Sequence, residues 1–225
     1  MDPLVGIVSF TLGVAAAATV AIFPLGIAVA WALSRRGWRG HTLVEILVNL
    51  PLVLPPTAIG LGLLLLLGRN GPIGGPLHNT FGMDIAFTWR AVVIASGVVA
   101  FPLLVRSART AFESIDPRLP AVARTLGRGR LATFFAIELP LAWRGLLAGA
   151  VLAFARALGE FGATILVAGN IPGKTQTIAL ALFQEVQMGR DHEALVLAGV
   201  ATLLGAVAIA LAERLARRRE RELEI

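Results

Sequence analysis

Five long apolar runs constrain this chain more than any short motif does. They cover roughly residues 5–33, 42–67, 90–111, 145–168 and 191–213. A helix needs about 20 mostly apolar residues to cross the hydrocarbon of a bilayer. Lipid supplies no hydrogen bonds, so a crossing segment satisfies its backbone internally, as a helix does. The expectation is an all-α, polytopic membrane helical bundle with about five transmembrane helices, forming a single domain over residues 1–225. Charged residues make up only 15% of the chain, against about 25% in a soluble domain. The first run is too long for the apolar part of a cleavable leader and lacks a basic flank.

A net charge of +6 raises the question of nucleic acid, but the arginines are sorted by topology. Arg35, Arg36 and Arg39 follow the first run. A second group, from Arg106 to Arg144, flanks or fills the loop between the third and fourth runs. A third, from Arg214 to Arg221, follows the fifth. The alternate loops hold only Arg69, Arg90, Lys174 and Arg190. The positive-inside rule then puts the N-terminus outside and the C-terminus inside. The expected partner is the lipid bilayer, with no nucleic acid. Cysteine is absent, which excludes disulfides. His41, His78 and His192 are scattered, so no metal site is expected.

The stretch "AGNIPGKT", Ala168 to Thr175, nearly spells a phosphate-binding loop. Such a loop joins a strand to a helix. Here an apolar helix precedes it and the topology turns it outward, so the nucleotide reading is set aside. Gly68 to Trp89, rich in Gly, Pro and Asn, predicts an irregular external loop. "TIALALFQEVQM", residues 177–188, is too short to span and reads as an interfacial or re-entrant helix. The charged tail "ERLARRRERELEI" reads as a solvated stop signal.

The inner loop, residues 113–144, carries more information. Asp116 followed by Pro117 is a helix start, a cap and then proline in the first turn. A short helix to about Leu126 should stop at Gly127 and Gly129. A second segment from Leu131 to Ile137 should be broken by Pro140 before the fourth crossing. A basic, partly apolar pair of helices at a membrane face needs a surface to lie against.

Within the membrane, Pro51, Pro55 and Pro56 lie in the second run, flanked by Asn49 and Thr57. Each proline removes a backbone donor, so a kinked helix lining a protein cavity or pathway is expected. Arg156 and Glu160, four apart in the fourth run, fall on one helical face. A charge at the bilayer centre costs about 2.5–3.5 kcal/mol on insertion scales, so the two are expected to pair. Gly159 and Gly162 beside them permit close helix packing.

The inner loop resembles the "EAA" loop of permease subunits of ABC importers. In that pattern Glu-Ala-Ala is followed at fixed spacing by Gly, then Ile, then Leu-Pro. The matching residues here are Ala121, Val122, Ala123, Gly127, Ile137, Leu139 and Pro140. The leading Glu is replaced by Ala121, after Pro120. "LPLVLPPTAIGLGLLLLLGRNGPIG" and "FARALGEFGATILVAGNIPGKTQT" are similar to the molybdate permease group among oxyanion importers.

The resemblance implies a homodimeric permease in a bacterial-type inner membrane that moves molybdate, or tungstate, by alternating access. It implies ATPase docking through Pro117, Ala121, Val122, Ala123, Arg124, Gly127 and Pro140. It also implies no cofactor on this chain, ATP and Mg on a separate cytoplasmic ATPase, and a periplasmic oxyanion-binding protein. Pathway candidates are Asn49, Pro51, Pro55, Pro56, Thr57, Arg156 and Glu160. A sulfate or thiosulfate permease and a passive anion channel without an ATPase are the alternatives.

Overall fold

The computed structural model describes residues 3–35 and 37–223, with side chains described as far as Arg214. No strand occurs among the described residues. Four long apolar helices are α1 (Pro3–Leu33), α5 (Trp89–Glu113), the run Arg130–Leu158, and α11 (Asp191–Leu223). A fifth apolar unit is bent: α2 (His41–Val53) and α3 (Pro56–Leu67) meet at 112°. The shorter elements are α4 (Gly74–Phe81), α6 (Arg118–Thr125), α9 (Gly162–Val167) and α10 (Ile178–Gln187).

The bundle is organised around α5, the most enclosed of the long helices, while α11 is the least enclosed. α5 packs along α1 and along α8 (Leu139–Leu158), and α11 covers the other side of α8. Small residues make these approaches possible. Ala15, Ala30, Ala95, Ala100, Ala108, Ala142, Ala153 and Ala157 are all buried. In lipid, helices associate through close packing rather than through a hydrophobic driving force, and small residues allow it. Ser107 adds a tie, its hydroxyl donating to the Gly145 carbonyl at 3.3 Å. Exposed Val20, Leu25, Leu195, Leu203 and Ile209 on α1 and α11 form apolar outer surface suited to lipid.

The bend in the second apolar run comes from consecutive prolines. A residue before proline avoids the helical region. Leu54, before Pro55, has ψ 142°, and Pro55, before Pro56, has ψ 132°. Pro56 then restarts a helix at its first position, where a missing donor costs nothing.

Three local expectations change, and the short apolar helix gains a place in the bundle. The fourth apolar run does not reach residue 168 as one helix: α8 stops at Leu158, the chain breaks over Gly159–Phe161, and α9 follows. Pro140 does not break the helix. α7 (Arg130–Thr133) passes through a π-helical turn, Phe134–Glu138, into α8. The wider turn, with the Leu139 N–H bonded to the Phe134 carbonyl, accommodates a ring that would clash in α geometry. The outer loop contains an ordered helix, α4, that its Gly and Pro content hid. Finally, α10 is tucked against α11 and α1. Ile178, Leu180 and Ala181 are buried, and the Ile178 N–H donates to Thr11 Oγ1 at 3.0 Å.

Candidate functional site

Two regions hold the residues singled out by sequence. The first is α6 and its flanks. Asp116 Oδ1 accepts the Arg118 N–H at 2.9 Å, which satisfies one of the free donors of the first turn. At the other end, Gly127 has φ +83°. Its N–H bonds to the Arg124 carbonyl and the Arg128 N–H to that of Ala123, each at 3.1 Å. This pair of bonds is a Schellman cap, for which glycine is suited because it adopts positive φ without a Cβ clash. Between the caps only Ala123 is buried. Leu119, Val122 and Leu126 are exposed by 48%, 57% and 79% and share one face by their spacing. Pro117, Ala121 and Arg124 are exposed beside them. Together Leu119, Val122 and Leu126 form an exposed apolar patch on a short, capped helix.

This region has an anchor that sequence reading missed. Glu138, in the π turn, is buried. It accepts from Trp31 Nε1 and from Arg35, whose guanidinium lies 2.9 and 3.1 Å from its two oxygens. Arg35 also stacks 4.1 Å over the Trp31 ring, a cation–π contact. Trp31 packs edge-on against Phe134 at 4.9 Å. A lone carboxylate within "FFAIELPL" was the available signal, since an acid in an apolar run needs a partner.

The second region is the seam between the broken runs. α3 packs on α9 with almost no space between backbones. A Cβ placed on Gly60 would sit 2.5 Å from the Ala163 carbonyl oxygen, and one on Gly162 would sit 2.8 Å from Pro56 Cβ. Arg156 and Glu160 do pair, at 3.0 Å. They do not share one helix, however, because Glu160 lies past the end of α8. Its other oxygen accepts the Ala163 N–H at 2.8 Å, so the buried carboxylate also caps α9.

Pro55, Pro56 and Thr57 are exposed at the bend. Asn49 lies apart from them. Its amide donates to the Glu45 carbonyl at 2.7 Å, and it lines a polar cleft with Arg106, Arg109, Thr110 and Glu113. In that cleft Arg109 bridges Glu45 at 2.7 Å and Glu113 at 2.8 Å. Pro51 lines a separate apolar cleft with Ile94, Val98 and Phe101.

After α9, "AGNIPGKT" is a closed turn. The fully buried Thr175 hydroxyl donates to the Gly169 carbonyl and accepts the Ile171 N–H. It is committed to the loop's own backbone, and Lys174 is exposed. Asp84 lies 2.9 Å from Arg69 Nε and 2.9 Å from His78 Nδ1. The hydrogen bond from Arg69 holds its carboxyl below the usual carboxylate range, against the opposing effect of burial and with smaller help from His78.

Four long apolar helices and one bent apolar pair are the architecture of a polytopic membrane protein. The chain belongs to the family of binding-protein-dependent transport system inner membrane components, whose pattern matches residues 22–221; it is a multi-pass inner-membrane permease subunit of the ABC type. It is 44% identical over 217 residues to the molybdenum transport system permease protein ModB of Haemophilus influenzae, covering 96% of this chain and 95% of that one. Identity to ModB of Escherichia coli K12 is 45% over the same shares. The sulfate transport system permease protein CysT of Salmonella typhimurium is 38% identical over 162 residues, 72% of this chain and 58% of its own.

Among solved structures, a chain of a bacterial alginate ABC transporter superposes with a TM-score of 0.73 at 16% identity, covering 97% of this chain and 80% of that one. A chain of the MetNI methionine ABC transporter in inward-facing conformations gives 0.68 at 16% identity, over 96% and 99%. At that identity these likenesses establish the fold alone.

Proposed function

We propose that this chain is the membrane-spanning half of an ATP-driven importer that carries molybdate, or the nearly isosteric tungstate, inward across the inner membrane. The observation that carries the substrate class is the near-complete, 44–45% match to permeases of molybdenum transport. The sulfate permease match is shorter and weaker. Two copies would form the pathway, with the bent α2–α3 unit and the α9 seam beside it. The N-terminus is outside and the C-terminus inside, in keeping with the arginine distribution.

ATP hydrolysis belongs to a separate cytoplasmic subunit that holds ATP and Mg. That subunit docks on the apolar face of α6, near Pro117 to Gly127, and Pro140 lies at the start of the helix leading away from it. A periplasmic oxyanion-binding protein delivers the anion to the outer loops. Binding of the partners to different states shifts the bundle between outward and inward openings, by as much as their affinities for the two states differ. Arg156 and Glu160 act as a pair that orders the break between α8 and α9, rather than as a free anion contact.

Co-purification tests the reading. Tagged permease, expressed with its ATPase and binding protein, should retain the ATPase, and molybdate-loaded binding protein should stimulate hydrolysis more than the sulfate-loaded form. A permease that retains no ATPase would point to the passive channel instead.

A further inference from the structure

We propose that Glu138 is a positioning residue that ties the ATPase-docking helix to α1, so that displacement of α6 is passed to the pathway rather than lost. This rests on the importer reading above. Among neighbouring elements, α6 touches chiefly α7 and the π turn. Between α6 and the bundle lies an open polar cleft lined by Ser34, Arg35, Phe112, Pro120, Arg124 and Glu138. Apart from the short link to α5 over residues 114–117, a push on α6 therefore reaches the bundle through α7 and the π turn, which run without a break into α8.

Glu138 connects that rigid path to α1. Its two partners are Trp31, in the last turn of α1, and Arg35, two residues past the end of that helix. Apolar contacts are non-directional and allow elements to slide. A charge-assisted bond is directional and strong, and here its carboxylate is buried while the guanidinium borders the cleft. The π turn brings Phe134 and Glu138 inward while Phe135 and Ala136 are exposed. With Glu138 engaged, α1 and α8 move together when α7 is displaced. Without it, α6 can rock over the cleft while α1 stays in place.

The test is the ratio of anion taken up to ATP hydrolysed, measured on the full complex in proteoliposomes with labelled molybdate. Glu138→Gln keeps the side chain's size but turns an amide donor toward Arg35 or Trp31. The ATPase should remain bound and hydrolysis should stay within about twofold, while uptake per ATP falls roughly tenfold or more, within the usual range of coupling between sites. Arg35→Gln should act in the same direction, and the double variant should lose no more than the worse single. Should Glu138→Gln fail to fold, Trp31→Phe keeps the ring packing and removes the N–H, and a smaller fall in the same ratio is expected. A merely structural role would lower yield and melting temperature but leave uptake per ATP unchanged, and that result overturns the linkage alone. An unaltered complex without ATP-driven uptake would overturn the importer reading and the linkage with it.

Discussion

Glu160 holds two groups at once, the Arg156 guanidinium and the backbone N–H of Ala163. Its two neighbours are therefore not equivalent. Arg156→Ala leaves a buried carboxylate that still caps α9. Glu160→Ala leaves both a guanidinium without its carboxylate and an uncapped helix start. Glu160→Ala should be the more destabilising by about 1 kcal/mol, the usual worth of a cap. The double variant should be less harmful than the sum of the singles, by a coupling of about 0.5–3 kcal/mol for groups in contact. Melting of the detergent-solubilised protein measures both, and strictly additive losses would remove the pairing.

In the loop between α4 and α5, Asp84 gives a pH dependence with a definite sign. Its folded pKa lies below the ordinary value of 3.8, chiefly through the hydrogen bond from Arg69. A depressed carboxylate contributes stability above its unfolded pKa and loses it as pH falls through the folded one. Protection of residues 68–88 from proteolysis should therefore differ between wild type and Asp84→Asn at neutral pH. The difference should persist to about pH 4 and close only in stronger acid. An equal difference at every pH would show that the pair is not the cause.

Among the elements, the α3–α9 seam and α6 make the sharpest demands. Gly60→Val places a branched side chain where the Ala163 backbone already lies. Separating α3 from α9 should cost about 1–3 kcal/mol, as overpacking does, and should impair transport, measurable as melting temperature and uptake together. Gly127→Asp forces a side chain into positive φ, at about 1 kcal/mol or more, and adds a carboxylate beside the proposed docking face. The permease should still insert but retain less ATPase on co-purification. Full retention with normal stimulated hydrolysis would remove α6 as the dock.

What sequence made legible follows from range. Runs of apolar residues and the proline triplet act locally, so the long helices and the bend over Leu54–Pro55 could be read directly. The 112° angle could not, because it depends on where α3 finds a partner, and that partner is α9. Pro140 misled because a π turn, which relieves the clash of its ring, has no sequence signature of its own. Helix α4 was hidden by composition that favours turns. Glu138 needed partners 103 and 107 residues away, a separation that no local pattern reports.

For the whole molecule, the position of the bent unit decides the topology. Four long helices with no further crossing would leave both ends on one side. If α2 and α3 together make one crossing, the ends fall on opposite sides, as the arginine distribution requires. The chain contains no cysteine, so a single cysteine near either end can be labelled without interference. The N-terminal site should react from the outside and the C-terminal site only after permeabilisation. Reaction of both from the same side would mean that the α2–α3 unit does not cross.

The measurement that bears most directly on the central claim is ATP-driven uptake by the assembled complex. Permease, ATPase and binding protein are reconstituted in liposomes with ATP and Mg on the ATPase side, and labelled molybdate is supplied on the other. The account predicts accumulation that requires both ATP and the binding protein, is competed by tungstate and is resisted by excess sulfate. Uptake that proceeds equally without ATP, or that sulfate displaces as readily as molybdate, would contradict it.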